Sequence, residues 1–326
     1  MKKIGIVTIV LIVGLFIAGC QQNSSEEASA TPTEKKDLKF VIVPKVVHPW
    51  FDQVNEAAQE QAEILGEQLG VNITIDYRAP QSADVAEQNS ILESAAATKP
   101  DGIAVDTLDP QGSAQVIQEI REQGIEVIFF ASPPPDESGL EDLSFIGNDV
   151  YEQGEIAAER LAELLDYKGT VAVMQGVPTA PSHSERYEAS KDILAKYPDI
   201  TVLDGGVSND DIQTAQQQAS AVIAANPDLD GYLMSDAAAP IGISAAIKEA
   251  GKEEQITAVG IDSLNTIVEN VKEGLLNSSV ATKPRMQGSY IVDLLWRHSL
   301  GLEIPKAVDT GIDVVTQENV DVFLSE

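Results

Sequence analysis

From residue 39 onward, short runs of apolar and β-branched residues alternate with longer amphipathic stretches. This alternation constrains the fold most strongly, because it is typical of strand–helix units built around a buried parallel sheet. It predicts strands at 40–43, 72–77, 102–105, 126–130 and 144–146, with helices near 51–69, 83–98 and 111–123 between them. These elements make one complete doubly wound lobe.

A second series of elements repeats this architecture. Helices are predicted near 151–165, 185–196, 211–225 and 240–250, and strands at 170–174, 201–203, 231–234 and 257–261. Two more helices, near 264–272 and 287–300, and a late strand at 312–315 are too few for a third domain, so they must complete the two lobes. We therefore expect an α/β protein of two doubly wound parallel-sheet lobes, joined by a hinge that the chain crosses more than once.

The predicted crossings lie at residues 147–148, 281–283 and 309–311. They assign residues 39–148 plus 283–309 to an N-terminal lobe and residues 149–282 plus 310–326 to a C-terminal lobe. Open parallel sheets bind ligands outside the carboxyl ends of their strands, so two facing lobes would place the site in the cleft between them.

Residues 1–19 are typical of an export signal, with Lys2 and Lys3 before an uncharged apolar run at 4–18. The run ends in Ile-Ala-Gly-Cys, which resembles the lipobox of bacterial lipoproteins, in which the cysteine is acylated and becomes the first mature residue. The alternative is an uncleaved anchor with a chance cysteine, but a span usually needs about 20 apolar residues. We expect Cys20 to be lipidated, and residues 20–38 to form a flexible polar tether that holds the protein at the cell membrane.

The charge and the motif content exclude several classes of protein. The sequence has 21 Lys and Arg against 52 Asp and Glu, and its basic residues are scattered singly, so no nucleic-acid partner is expected. One cysteine and three histidines show no metal-ligand spacing, so neither a metal nor a cofactor is expected. Because no GxSxG, GxxxxGK or GxGxxG motif is present, the sequence favours a protein that is not an enzyme.

A dense cluster of functional side chains follows the first predicted strand. The loop carries Lys45, His48, Trp50 and Phe51, which combine a cation, an imidazole and two aromatic rings. Aromatic faces stack on the C–H face of a sugar ring, and Lys or His can donate hydrogen bonds to its oxygens. The alternative is that the two aromatic residues belong to the core and that Lys45 is solvated.

Polar residues also follow four later strands. Asp106, Asp236 and Asp262 come at strand ends, where a carboxylate can accept two hydroxyl protons of a polyol, or can cap the next helix. For Asp106 the cap or turn is the favoured interpretation. The long loop after strand 170–174 carries His183 and Arg186, which would reach a cleft ligand unless Arg186 extends into solvent.

Several short motifs together resemble the solute-binding proteins of sugar ABC importers, in the type I periplasmic binding protein branch that includes the ribose-binding protein. The motifs are His48-Pro49-Trp50-Phe51, Lys99-Pro100-Asp101-Gly102-Ile103, Gly124-Ile125-Glu126-Val127 and Ala258-Val259-Gly260-Ile261-Asp262. The opening at 43–45 is more similar to the rhamnose- and autoinducer-binding members, whose lysine contacts the ligand. The resemblance covers residues 39–316 and implies a two-lobed binding fold.

The resemblance also implies a set of ligand contacts. It comprises Lys45, His48, Trp50, Phe51, Asp236, Asp262 and Thr282. Their positions after strands add Asp106, Ser132, His183 and Arg186 to the predicted ligand-binding residues. Thr282 stands near the position from which the family often offers Gln. Ribose binders have Asp-Arg after the fourth strand, where this chain has Ala131-Ser132. Ribose binders also have an Arg at the start of a helix in the second lobe, where this chain has Ser184, with Arg186 two residues later. The ribose hydrogen-bond set is therefore incomplete.

The resemblance implies a lipid-anchored, monomeric receptor outside the cytoplasm that captures a sugar or related small polyol and delivers it to an ABC permease in the membrane. One alternative is an accessory protein that presents its ligand to a membrane sensor kinase. Another is a surface-anchored carbohydrate-active enzyme, which would require a close carboxylate pair in the cleft.

Overall fold

The computed structural model describes residues 37–134 and 138–324. Cys20, the predicted lipid-attachment residue, lies outside the described residues. Among the helices that are described, none is both long and apolar enough to cross a membrane.

The described chain alternates strands and helices almost throughout. In chain order the elements are β1 (Leu38–Val43), α1 (Pro49–Leu69), β2 (Ile73–Tyr77), α2 (Val85–Ala96), β3 (Gly102–Val105), α3 (Pro110–Glu122), β4 (Glu126–Phe130), β5 (Phe145–Gly147), α4 (Val150–Leu164), β6 (Gly169–Gln175), α5 (Pro181–Leu194), β7 (Ile200–Val207), α6 (Ile212–Ala225), β8 (Gly231–Met234), α7 (Ala239–Ala250), β9 (Thr257–Ile261), α8 (Asn265–Glu273), β10 (Ser278–Ala281), α9 (Pro284–Ser299), β11 (Ala307–Asp309), β12 (Asp313–Thr316) and α10 (Val320–Phe323).

The strands form two six-stranded sheets, one in each lobe. The first sheet has the order β11-β5-β4-β3-β1-β2 and is parallel throughout. The second has the order β12-β10-β9-β8-β6-β7, and only its edge strand β12 runs antiparallel. The predicted fold class, two doubly wound α/β lobes, is confirmed.

Each sheet is covered by helices on both faces, as expected for parallel strands that bury both sides. In the first sheet, Phe40 and Ile42 belong to the apolar cluster that includes α1 and α9, whereas Val41 and Val43 belong to the one that includes α2 and α3. Gly288 lets α9 pack directly on α1, because a Cβ at this position would overlap the backbone of α1. The C-terminal helix α9 therefore completes the first lobe.

The chain passes between the sheets three times, after β5, after β10 and after β11. Two of these passages are tied together, because Asn148 Nδ2 donates hydrogen bonds to Thr310 Oγ1 at 3.0 Å and to the Gly311 carbonyl at 2.6 Å. The lobe boundaries at 148, 282 and 309 stay a prediction.

Three strands differ from the sequence-based expectation. β10 and β11 were not predicted, and β7 extends over eight residues where the sequence predicted strand only at 201–203. β10 consists of small residues and β11 of three residues at a sheet edge, so neither shows a long apolar run. The longer β7 changes where the following loop begins, and that loop contributes to the site described next.

Candidate ligand-binding site

A cavity with an empty volume of about 310 Å³ lies where the loops after the strands of the two sheets face one another. It is lined by Lys45, His48, Trp50, Phe51 and Ala131 from the first lobe, and by Ser182, His183, Arg186, Asp210, Ala237 and Asp262 from the second. Seven of the eleven predicted ligand residues are in this lining. The other four, Asp106, Ser132, Asp236 and Thr282, lie directly behind it.

The loop after β1 places His48 at the start of α1. His48 Nδ1 accepts a hydrogen bond from the Trp50 backbone N–H at 3.2 Å, so the imidazole caps the helix and the neutral ring carries its proton on Nε2. This Nε2 is buried and makes no hydrogen bond to any described residue. His48 therefore presents an unused donor at the cavity wall.

The two aromatic residues of this loop belong to both the cavity wall and the core. The Trp50 and Phe51 rings meet edge to face at 5.0 Å between centroids, and Phe51 also packs edge to face on Phe130 at 6.1 Å. The alternatives of core and ligand contact are thus compatible, because one side of each ring packs inward while the residue still lines the cavity.

Lys45 is buried rather than solvated, and it pairs with Asp106. Its Nζ lies 3.2 Å from Asp106 Oδ2 and 4.9 Å from the centroid of the Phe51 ring. Asp106 is not a helix cap, because Asp109 caps α3 through a 3.0 Å bond from the Gly112 N–H. Burial raises the pKa of Asp106, and the charge of Lys45 opposes this rise.

The start of α5 supplies His183 and Arg186 from the second lobe. His183 Nδ1 accepts the Val177 backbone N–H at 2.8 Å, and burial holds the pKa of this imidazole well below its usual value, with the nearby charge of Lys45 adding to the effect. Arg186 donates from Nε to Gln153 Oε1 at 2.6 Å and from Nη1 to the Ser235 carbonyl at 3.1 Å. The alternative that Arg186 extends into solvent is wrong, since the residue is only 7% exposed.

Asp236 combines a helix-capping role with a place behind the cavity. Its Oδ1 accepts the backbone N–H groups of Ala238 and Ala239 at 2.8 Å each, and its Oδ2 accepts the Ser208 hydroxyl. Burial, together with the charge of Asp210, raises the pKa of Asp236 to about 6.

Asp262 does not cap a helix. The helix that follows, α8, begins at Asn265 and has no side-chain capping bond. Instead, Asp262 Oδ1 accepts the Trp50 indole N–H at 2.9 Å and the hydroxyl of Thr282. Asp262 is therefore a cavity residue that also connects the lobes.

Among the described residues, four side-chain hydrogen bonds cross the cleft, and one of them joins Trp50 Nε1 to Thr282 Oγ1 at 3.0 Å. Trp50 Nε1 donates to Asp262, Ser132 Oγ donates to Ser182 Oγ at 2.8 Å, and Lys45 Nζ donates to Ser182 Oγ at 3.4 Å. In each bond one partner belongs to the first lobe and the other to the second. The structure therefore shows the two lobes closed on each other around the cavity.

Asp210 is a cavity residue that the sequence analysis missed. Its side chain is only 3% exposed, its Oδ1 makes no hydrogen bond to another described residue, and its Oδ2 lies 3.9 Å from His183 Nε2. Burial opposes its ionisation, but the surrounding basic side chains of His183, His48, Lys45 and Arg186 together outweigh burial and hold the pKa of Asp210 below its usual value. The sequence signal that could have identified Asp210 is the run of polar residues after β7. It was overlooked because the end of β7 was predicted four residues too early.

Backbone strain is concentrated at the same cavity. Among the described residues, seven that are not glycine have positive φ, and three of them line the cavity: Ala131 at 57°, Asp210 at 59° and Asp262 at 73°. Such conformations cost about 1–3 kcal/mol each and cluster at ligand clamps. The loops that shape the cavity are thus held in place by their surroundings.

This arrangement suits a small molecule that carries many hydroxyl groups. Ionised carboxylates accept hydroxyl protons in charge-assisted bonds, an imidazole N–H donates, and aromatic faces cover apolar C–H surface.

Comparisons with known proteins agree with this description. The profile of the family described as "Periplasmic binding protein domain" matches residues 40–303. A xylose/arabinose-binding protein of Sulfolobus acidocaldarius is 24% identical over 306 residues, which cover 89% of this chain and 74% of the relative.

Two solved structures are also similar. A solute-binding protein of an ABC transporter from Burkholderia graminis, in complex with D-arabinose, has a TM-score of 0.81 and 27% identity, and the match covers 88% of this chain and 98% of that one. A second, from Agrobacterium vitis with bound D-fucose, has a TM-score of 0.82 and 27% identity over 87% of this chain and 97% of that one.

Proposed function

Because the chain belongs to the periplasmic binding protein family, we propose that it captures a sugar or a related small polyol between its lobes, outside the cytoplasm, for delivery to an ABC permease. Lys45, His48, Trp50 and Phe51 bind the ligand from the first lobe, and the second lobe contributes the residues around Asp262. The protein performs no reaction on its ligand.

The observation that carries this proposal is the pair of unpaired polar atoms in the cavity wall. His48 Nε2, a donor on the first lobe, and Asp210 Oδ1, an acceptor on the second, are both buried without a partner among the described residues. Buried polar groups in native proteins nearly always have a partner, and each one left unpaired costs about 1–3 kcal/mol. A polyol hydroxyl can donate to the carboxylate and accept from the imidazole.

Two further facts support a sugar in particular. The similar proteins from Burkholderia graminis and Agrobacterium vitis hold D-arabinose and D-fucose. In this chain, Trp50 and Phe51 add aromatic surface to a lining that is otherwise rich in charged groups. That combination matches the apolar C–H faces and polar rims of a sugar ring.

Delivery to a permease requires the protein to stay near the membrane. The sequence pattern that ends in Cys20 supports a lipid anchor, and the polar tether that follows would let the two-lobed body reach a permease. We propose that the mature protein is a monomer attached to the membrane through this cysteine.

A thermal-shift screen over neutral monosaccharides, sugar alcohols, inositols and furanose-like signals tests the proposal, followed by calorimetric titration of each compound that stabilises the protein. We expect at least one compound to bind with a stoichiometry of one per chain and to be recovered chemically unchanged. A screen without any stabilising compound, or a compound converted to product, would contradict the proposal.

A further inference from the structure

We infer that the cavity selects a polyol that carries a protonated amine, such as an amino sugar or an aminocyclitol, and that Asp210 receives the ammonium group. This inference rests on the proposed function, since it specifies the ligand of the same cavity.

Acidic groups outnumber basic groups at the cavity. Four carboxylates, on Asp106, Asp210, Asp236 and Asp262, face only two cations, on Lys45 and Arg186. The imidazoles of His48 and His183 each accept a backbone N–H at Nδ1, so in this arrangement both rings are neutral. The described groups thus leave the closed cavity with an excess of two negative charges.

The cations and the other carboxylates already have partners. Lys45 is paired with Asp106, and Arg186 donates to two uncharged oxygens. Asp236 receives two backbone N–H groups and a hydroxyl, and Asp262 receives an indole N–H and a hydroxyl.

Asp210 differs from these carboxylates. Its Oδ1 has no hydrogen-bond partner among the described residues; Asp106 Oδ1 also lacks one, but Asp106 is paired with Lys45 through its other oxygen. Asp210 Oδ2 lies 3.9 Å from Nε2 of the neutral His183 imidazole. Burial opposes the charge of Asp210, and no described Lys or Arg forms an ion pair with it, so a ligand that supplies a cation here gains a direct charge pair.

A hydroxyl group can donate one hydrogen bond to Asp210, but it leaves the charge excess unchanged. An ammonium group donates hydrogen bonds and also cancels one negative charge, and the attraction is strong in a closed cavity because little water screens it. A ligand with a carboxylate or a phosphate would instead add to the excess. The cavity should therefore rank an amine above its neutral parent, and the parent above the corresponding acid.

Matched ligands test this order. Calorimetric titrations at pH 7 would compare D-galactose and D-glucose with their 2-amino forms, their N-acetylated 2-amino forms and their uronic acids, and myo-inositol with aminodeoxyinositols substituted at different carbons. We expect at least one amine to bind about tenfold or more tightly than both its neutral parent and its acetylated form, as expected for a close charge pair.

Two variants assign the effect to a residue. Asp210→Asn keeps the size of the side chain and tolerates the positive φ, and it should reduce the preference for the amine to less than about threefold. Asp211→Asn is the matched control, because it removes the same charge at the neighbouring exposed cap of α6 while Asn still caps the helix. This control should keep the full preference, and unchanged thermal unfolding of both variants shows that they are folded.

The outcomes separate the inference from the proposed function. Neutral parents that bind as tightly as every amine derived from them would overturn the inference and leave the proposed function intact. A preference that survives Asp210→Asn, or that is lost equally in Asp211→Asn, would overturn the role of Asp210. If no neutral, amino or acidic compound binds, the proposed function itself fails, and the inference fails with it.

Discussion

Replacing Trp50 by Phe should weaken the closed arrangement of the lobes. The Trp50 indole N–H donates to Asp262 Oδ1 at 2.9 Å and is 3.0 Å from Thr282 Oγ1, both on the opposite lobe. Phe keeps an aromatic ring against Phe51 but has no donor, so the variant loses the bond between the lobes while most of the apolar packing is retained.

The free energy that Trp50→Phe removes from the closed form depends on the acceptor of the lost hydrogen bond, which is a charged carboxylate. A hydrogen bond to an ionised group contributes about 1.5–3 kcal/mol net, which corresponds to roughly 10- to 150-fold in an equilibrium constant. A ligand that needs both lobes binds only the closed form, so its apparent affinity falls in proportion to the population of that form. We expect ligand affinity to fall by this factor if the free wild-type protein is mostly open.

If the free wild-type protein is mostly closed, the same loss appears in its shape. Small-angle scattering without ligand should then give a larger radius of gyration for Trp50→Phe than for wild type. Trp296→Phe is the matched control, because Trp296 is the other tryptophan and packs against the core of the first lobe on α9. This control also leaves Trp50 as the single tryptophan, whose fluorescence should report ligand binding.

Two results together would show that the indole bond does not stabilise the closed form. The first is a radius of gyration of Trp50→Phe equal to that of Trp296→Phe, both with and without ligand. The second is a ligand affinity of Trp50→Phe within about threefold of wild type. The bond seen in the closed arrangement would then contribute nothing to closure.

Three further changes test other parts of the description. Asp262→Asn should weaken ligand binding by about tenfold, because a neutral amide accepts weaker hydrogen bonds than a carboxylate; a calorimetric change under threefold would remove Asp262 from the site. Burial, with the charge of Asp210, raises the pKa of Asp236 to about 6 from 3.8. Between these two pH values the folded protein keeps a proton on Asp236 that the unfolded chain releases. The contribution of this group to stability therefore falls as the pH rises from about 4 to 6. Asp236→Asn still accepts the two N–H groups and should be at least as stable as wild type at pH 7.5; urea unfolding at pH 4.5 and 7.5 measures this, and a less stable variant at pH 7.5 contradicts it. Cys20→Ser should leave the protein unprocessed or shed from cells, as judged by fractionation and mass spectrometry; normal acylated, membrane-bound protein would contradict the lipobox interpretation.

The sequence predicted the architecture well where strands are buried on both faces. β1, β3, β4, β8 and β9 consist of apolar runs, because helices cover both sides of each, and all five were found within a residue or two of their ends. β10 escaped notice, although it is fully buried, because Ser278 and Ser279 place hydroxyls where an apolar run is the usual signal. Its place in the sheet depends on pairing with β9 and β12, and such contacts between distant segments are not visible in a local pattern.

The candidate site was predictable wherever a strand end was predictable. Asp106, Asp236 and Asp262 come within two residues of strands whose ends are clear, and all three lie at the cleft. Asp210 was missed because β7 is an edge strand, in which Asp204 and two glycines break the apolar pattern before the strand ends. Which carboxylates would have partners could not be predicted either, since Trp50 is 212 residues from Asp262 and Lys45 is 61 residues from Asp106 in the sequence.

Closure of the lobes involves two opposing contributions, and the unpaired atoms show where a ligand acts. The bonds of Trp50 to Asp262 and of Ser132 to Ser182 favour the closed form, since both can form only when the lobes meet. Closure also buries His48 Nε2 and Asp210 Oδ1 without partners and brings an excess of carboxylates into a space with little water. An open cleft would let water bind these atoms, so without a ligand they favour opening. A ligand that pairs with both atoms removes the unfavourable contribution and leaves the favourable bonds intact, so the same groups that recognise the ligand also make closure depend on it.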